Sequence, residues 1–436
     1  MAVAGVSATA TVVGGGPAGL MAAEVLATAG VRVTVHEHMP SLGRKLLLAG
    51  RSGLNLTHHE PLAQLLDRYG AAEPRLHRAL TEFGPSELRG WAAGLGEDTF
   101  VGSSGRVFPM SMRATPLLRA WLARLAGLGV EVRLRERWLG WTPHADVVPH
   151  ADRFVRGDMF SRGDTFSRGD TFSRGDDGST YDVASDVTVL ALGGASWPRV
   201  GSDGGWVTAV RTTGTRVAEL RPANAGIRVE WSAGFADRFA GAPLKNVAVT
   251  VAGHCVRGDV TVTTTGFESG PIYTVSGMIR DIVARDGNAA MSFDLHPDLG
   301  VDAVEARLAR RRPKDSLTTT LRRTLGLGTV QIALLREATA NQVPTETLAL
   351  AALVKGVPIT VAGVMSIERA ISTSGGIALD EVDDWFMLRR FPGTFVAGEM
   401  LDWEAPTGGY LLQATFSTAV AAARGALRWL AEPHST

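Results

Sequence analysis

Ala10-Thr11-Val12-Val13-Gly14-Gly15-Gly16-Pro17-Ala18-Gly19 decides the fold. A β-branched run stops at a glycine cluster, a helical stretch from Leu20 to Ala27 follows, and Gly30 closes it. A second strand-like run, Val31 to Val35, ends at His36-Glu37. Strand, glycine turn, helix and strand make the βαβ unit of a dinucleotide site. In Gly14-x-Gly16-x-x-Gly19 each glycine has its own task. Gly14 allows the tight turn, Gly16 lets backbone approach a pyrophosphate, and Gly19 permits close helix–strand packing. Pro17 and Ala18 open the helix, whose unpaired N–H groups face the phosphates, and Pro17 loses nothing there because it has no N–H to pair. Glu37 suits a carboxylate that accepts from a ribose diol, and His36 reads as a strand-end residue.

NAD-type and FAD-type domains share this fingerprint, so the choice rests on the far end of the chain. Thr394-Phe395-Val396-Ala397 reads as a strand delivering Gly398-Glu399, an acid placed to hold a ribitol chain. Asp402 follows, and Thr407-Gly408-Gly409-Tyr410 opens a helix running to about Leu430. A helix N-terminus beside flavin N1 and O2 favours the anionic reduced ring, which points to FAD. The plainer alternative is an ordinary glycine turn before a helix. Asp186 to Leu192 reads as a further buried strand, ending at Gly193-Gly194.

Between these ends the pattern changes. Residues 226 to 296 alternate as an antiparallel, β-rich stretch, and 301 to 356 are helical and basic, with Arg307, Arg310, Arg311, Arg312 and Lys314 close together. The expected organisation is an α/β nucleotide domain, 1–222 with 366–436, interrupted by a β-rich domain (223–300) and a helical subdomain (301–365). Four Arg-Gly-Asp copies lie between 156 and 176 with a six-residue period, read here as a mobile surface loop.

The chain has 436 residues, with 44 Lys+Arg balancing 44 Asp+Glu. That balance argues against the broad basic field of a dedicated nucleic-acid binder. One cysteine, Cys255, excludes an internal disulfide and a thiolate zinc site, so the cytoplasm is the expected compartment. No apolar run is long enough for a spanning helix, nothing at the N-terminus reads as a secretory signal, and no membrane partner is expected. The histidines are read as forming no metal site.

The sequence resembles the YhiN/BaiN-like flavoproteins. The resemblance rests on Gly14 to Gly19, Gly43-Arg44-Lys45 with Asn55-Leu56-Thr57, and Gly105-Arg106-Val107-Phe108-Pro109. It continues through Gly193-Gly194-Ala195-Ser196-Trp197-Pro198 and Leu244-Lys245-Asn246-Val247 to Gly398-Glu399-Met400-Leu401-Asp402 with Gly408-Gly409-Tyr410 and Gln413. It implies a Rossmann-type FAD domain interrupted by a barrel-like β domain and a small helical domain, with Arg44, Lys45 and Asn55 joining the cofactor-binding set. It also implies reduction of a carbon–carbon double bond, with a nicotinamide as electron donor. Family members are associated with conjugated steroid-like enones and with a uridine base in ribosomal RNA, so the partner is a small molecule or an RNA base.

Two departures stand out. Relatives carry a cysteine where this chain has Leu54, and Gly266-Phe267-Glu268-Ser269-Gly270-Pro271 is one residue longer than the related turn, with an added carboxylate. Tyr410 is the candidate proton donor, or else a ring packed over the cofactor edge. Glu268 is the candidate substrate-orienting acid, or else a turn acid facing solvent. Gly326-x-Gly328 does not complete a second fingerprint, so NAD(P)H is expected to bind transiently over the flavin. The rivals are an FAD-dependent RNA-modifying enzyme, favoured by Arg307 to Lys314, and a flavin-binding protein without turnover.

Overall fold

The computed structural model describes residues 8–142, 169–175 and 177–432. They form two units, Met1–Arg221 with Thr373–Thr436 (the outer unit) and Pro222–Ser372 (the inserted unit).

In the outer unit β1 (Thr9–Val13) is the middle of a five-stranded sheet. On one side it pairs with β2 (Arg32–Glu37), which pairs with Glu131–Leu134; on the other it pairs with Val187–Leu190, which pairs with Thr394–Val396. Every pairing is parallel. Such a sheet is covered on both faces, and β1 is buried without alternation from Ala10 to Val13, as that position requires. The chain order reverses beside β1, and the crevice at the carboxyl ends of strands on either side of such a reversal is where ligands bind. The helix α1 (Pro17–Thr28) and the last helix, Tyr410–Ala431, pack together on this sheet. Small residues make that approach possible: Ala419, Ala421, Ala422, Ala423, Gly425 and Ala426 of the last helix are all buried.

The Arg-Gly-Asp repeat corrects its expectation. Residues 156–168 and Asp176 lie outside the described residues, but Gly169–Arg174 is a strand, the middle one of three between Glu136–Trp141 and Thr180–Ala184. Phe172 is fully buried, and the Asp170 carboxylate accepts from Trp138 Nε1 at 2.9 Å and Thr188 Oγ1 at 2.7 Å. Burial raises the pKa of that carboxyl, and the two hydrogen bonds oppose the rise. A six-residue period is a multiple of the two-residue strand period, so the repeat never disturbs which side chains face inward.

The inserted unit holds a seven-stranded sheet whose hydrogen-bonded pairings are antiparallel. Its edge strands, Val357–Val361 and Gly363–Val364, are separated only by Ala362, so one continuous segment joins the two edges. Both strands come from the stretch read as helical (301–365), and one apolar core runs from Ile227 to Val361. The division at 300 therefore does not separate two cores. The strands were missed because Val357 to Val364 is short and interrupted by Pro358 and Gly363.

Candidate functional site

The fingerprint turn shows why each glycine stands where it does. Gly14 has φ +108°, and an added Cβ would lie 2.3 Å from the Ala191 carbonyl oxygen. At Gly19 an added Cβ would lie 1.8 Å from the Gly14 oxygen, so helix and turn could not close together. Gly16 differs: its backbone is extended and a Cβ there would enter open space. That open space faces the N-terminus of α1, which no side chain caps. Glu37 ends β2 with its carboxylate held by two backbone donors, Gly15 N at 2.7 Å and Met39 N at 2.8 Å. Gly43 N donates to Gly15 O at 2.8 Å and so ties the Arg44–Lys45 segment to the turn.

The late part of the chain comes to the same place. Lys45 Nζ lies 2.6 Å from Glu399 Oε2 and 2.7 Å from Ser196 Oγ, with Ser202 Oγ at 3.4 Å. Glu399 also accepts from Thr373 N at 2.9 Å and Gly194 N at 3.3 Å. Gly398, at φ +74°, brings its backbone against Ala18, where an added Cβ would lie 2.8 Å from the alanine methyl. Gly193 also has positive φ, +72°. Asp402 is half-buried; burial raises its pKa and Arg221 opposes the rise. Ser202 and Thr373, which help hold the Lys45–Glu399 pair, carry no motif that a sequence reading could have caught, whereas Ser196 lies in the Gly193 to Pro198 stretch that carries the resemblance.

The opening of the last helix meets residues 55–60. Gly408 and Gly409 have φ +130° and +102°, and a Cβ at Gly409 would lie 2.4 Å from the Thr57 carbonyl. Thr57 Oγ1 donates to Gln413 Oε1 at 2.6 Å, and His58 Nδ1 lies 3.0 Å from Gly408 O. Tyr410 stacks on His58 with ring centroids 5.1 Å apart, and the Arg68 guanidinium lies 5.6 Å from the tyrosine ring centroid. Burial and then the neighbouring Glu60 carboxylate hold the phenol well above the usual tyrosine range. Burial alone would raise the pKa of Glu60, but Arg68, whose Nη2 donates to Oε2 at 2.9 Å, and the nearby Tyr410 lower it on balance. Tyr410 is therefore a neutral phenol beside a carboxylate, and Glu60 and Arg68 are site residues that the sequence reading missed.

Glu268 belongs to the inserted unit, where it ends the strand Gly266–Glu268 opposite Thr261. Phe416 is fully buried beneath Trp91 and Trp121, which assigns it to packing. His36-Glu37-His38 is an HxH spacing with a carboxylate that the sequence reading passed over. It makes no metal site: His36 turns to Glu136 at 2.8 Å and His38 to Glu37 at 3.1 Å. No group of three His, Cys, Asp or Glu among the described residues could hold an ion.

A flavin dinucleotide fits what is present. Gly16 leaves room for a pyrophosphate, and the Glu37 oxygens keep lone pairs beyond those used by Gly15 and Met39. Two buried polar atoms, Asn55 Oδ1 and Arg44 Nε, have no partner of their own, an arrangement that ordinarily needs an explanation such as a bound group. A parallel sheet with a glycine turn at its reversal, joined by a late acid and a glycine-opened helix, defines a doubly wound nucleotide-binding protein.

The chain belongs to the HI0933-like family, a group of FAD-dependent oxidoreductases, because the model described as HI0933-like protein Rossmann domain matches residues 8–155 and 167–425. It is 23% identical over 440 residues to 3-dehydro-bile acid delta(4,6)-reductase of Clostridium scindens, covering 95% of this chain and 98% of that one. Its fold is similar to that of a flavocytochrome c3 fumarate reductase in an open conformation, with TM-score 0.53 at 15% identity, over 98% of this chain and 80% of that one. It is also similar to 3-ketosteroid delta1-dehydrogenase of Sterolibacterium denitrificans in complex with 1,4-androstadiene-3,17-dione, with TM-score 0.51 at 13% identity, over 97% and 100% of the two chains. No helix among the described residues is long and apolar enough to cross a membrane.

Proposed function

We propose that the protein reduces a carbon–carbon double bond conjugated to a carbonyl, using FAD and electrons from NADH or NADPH. The observation that carries the reading is the convergence of Gly14–Gly19, the Lys45–Glu399 pair and the Gly408–Gly409 helix start in one unit. The bile acid reductase relative supports a double bond as the reducible group. When bound, FAD supplies two-electron chemistry that no side chain of this protein can perform. The chain's part is to bind and orient. Gly16 and the N-terminus of α1 receive the diphosphate, and Glu37 accepts from a ribose diol. Lys45 and Glu399 form a fixed polar pair for the ribitol side, and Arg44, Asn55, Gly193, Gly194 and Asp402 complete the cofactor-binding set of this reading. Tyr410 enters as a neutral phenol, the form needed to give a proton to the substrate α-carbon, and burial with the neighbouring Glu60 carboxylate keeps it protonated. Glu268, at the end of the strand Gly266–Glu268, is the carboxylate this reading assigns to orienting substrate.

The test has two stages. Denaturing release of the chromophore, followed by mass identification, should yield free FAD. Anaerobic NADH or NADPH should then bleach the visible flavin absorbance, and an added enone should restore it. No bleaching by either nucleotide removes the nicotinamide part of the proposal, and a colourless protein that takes up no FAD removes all of it.

One observation favours the RNA reading: Arg307, Arg310, Arg311, Arg312 and Lys314 are all exposed along one helix end and the turn after it. RNA affinity that falls steeply with salt would support that reading over a small-molecule substrate.

A further inference from the structure

The loop that follows Gly193-Gly194 holds a strained tryptophan. Trp197 has φ +63° and ψ +59°, the left-handed region that a bulky side chain rarely enters. Both feet of its loop stand on one amine: Ser196 Oγ lies 2.7 Å and Ser202 Oγ 3.4 Å from Lys45 Nζ. Ala195 N, one residue earlier, donates to Thr373 Oγ1 at 2.9 Å. A single helical turn, Pro198–Val200, closes the loop, with Val200 N on Trp197 O and Gly201 N on Pro198 O, both at 3.0 Å. Gly201 packs beyond the end of β2, where an added Cβ would lie 2.9 Å from Met39 Cγ. All of these residues belong to the outer unit. The loop therefore reaches from the Lys45–Glu399 pair toward the residues just after Glu37.

The backbone is fixed, yet the side chain is free. Trp197 is 36% exposed and lies outside the apolar core of the unit, and no ring, cation or hydrogen-bond acceptor among the described residues engages its indole. Glycine would take the same conformation without strain, so nothing in the free fold offsets the presence of tryptophan there. Strain of this kind clusters at ligand clamps and active sites. One peptide unit joins Trp197 to Ser196, so a group held by Lys45 and Glu399 is within reach of the indole. We propose that Trp197 is a cofactor-contacting residue whose indole covers the flavin half of the bound dinucleotide. This deepens the FAD reading and rests on it, since that reading places the ribitol side at Lys45 and Glu399.

The full chain, freed of nucleotide, is titrated calorimetrically with FAD and, separately, with ADP, which lacks the flavin half. Trp197→Gly should weaken FAD by about tenfold, the loss of one aromatic contact, and leave ADP within about twofold. Trp197→Phe keeps a ring, so its FAD affinity should stay within about threefold. Thermal melts of the nucleotide-free protein separate this role from packing: Trp197→Gly should melt no lower than the unaltered chain, because glycine relieves the strain. In protein labelled with 5-fluorotryptophan, the ¹⁹F resonance missing from Trp197→Phe should shift on adding FAD and stay unshifted with ADP. Unchanged FAD affinity in Trp197→Gly, equal weakening of FAD and ADP, a clearly lower melting temperature, or an unmoved resonance with FAD bound overturns the role of Trp197 while leaving the FAD site standing. Failure of the unaltered chain to bind FAD overturns both.

Discussion

At the scale of single residues, the fingerprint glycines carry different loads. Gly19 is required by packing, since any Cβ collides with the Gly14 carbonyl. Gly16 is not: its backbone is extended and its surroundings are open. Gly19→Ala should therefore cost about 2–3 kcal/mol of stability, in the range of buried steric substitutions. Gly16→Val should leave stability within about 0.5 kcal/mol yet weaken FAD binding by at least about tenfold, because its methyl groups would occupy the diphosphate space. Thermal melts of the apoprotein and flavin titration separate the two effects. His36 adds a pH dependence. Its pKa is lowered in the fold, so the unfolded chain binds a proton more readily. Its share of stability is full above about pH 6.5 and is lost as pH falls below that value. His36→Phe should flatten the part of the stability profile just below pH 6.5, read from denaturant midpoints.

At the scale of elements, the repeat strand offers a test of its own. Gly163-Asp164-Thr165-Phe166-Ser167-Arg168 repeats the sequence of Gly169–Arg174 residue for residue. A slip by one copy moves the strand six positions, an even number, and keeps the same side chains inward. Phe172→Ala alone should therefore cost less than Phe166→Ala/Phe172→Ala together. The double variant should approach the about 3–5 kcal/mol of a buried phenylalanine truncation. Equal losses in the two variants would show that only one copy can occupy the sheet. Asp170 belongs to the same element, and its buried carboxyl is tolerable because Trp138 and Thr188 satisfy it.

At the scale of the whole molecule, the described residues hold two apolar cores, one in each unit. Unfolding is expected to depart from a single two-state transition in calorimetry. The fingerprint, the Lys45–Glu399 pair and the last helix all lie in the outer unit. FAD at about 100 times its Kd should add about 2.7 kcal/mol to the transition of that unit alone, seen as a rise of several degrees. An equal rise in both transitions would place part of the nucleotide site in the inserted unit.

The sequence alone determined the βαβ unit, the parallel-sheet fold class and the chemistry of the fingerprint turn. Those features are local: β1, the glycines, α1 and Glu37 follow one another within 37 residues, so spacing carries the geometry. It also marked Glu399 as a strand-delivered acid and the Gly408–Gly409 pair as a helix start, whereas Lys45 and Asn55 entered the cofactor set through family resemblance. Only tertiary structure decided that Lys45 meets Glu399, that Ser196 and Thr373 support them, and that Glu60 stands beside Tyr410. Lys45 is 354 positions from Glu399 and 151 from Ser196, and even Thr373 is 26 from Glu399, so no periodicity records these contacts. His36 and the repeat strand make the same point in the core. Each is polar or glycine-rich by composition, and each is buried with distant partners, Glu136 at His36 Nδ1 and Trp138 and Thr188 at Asp170, which is a property of the folded neighbourhood and not of the segment.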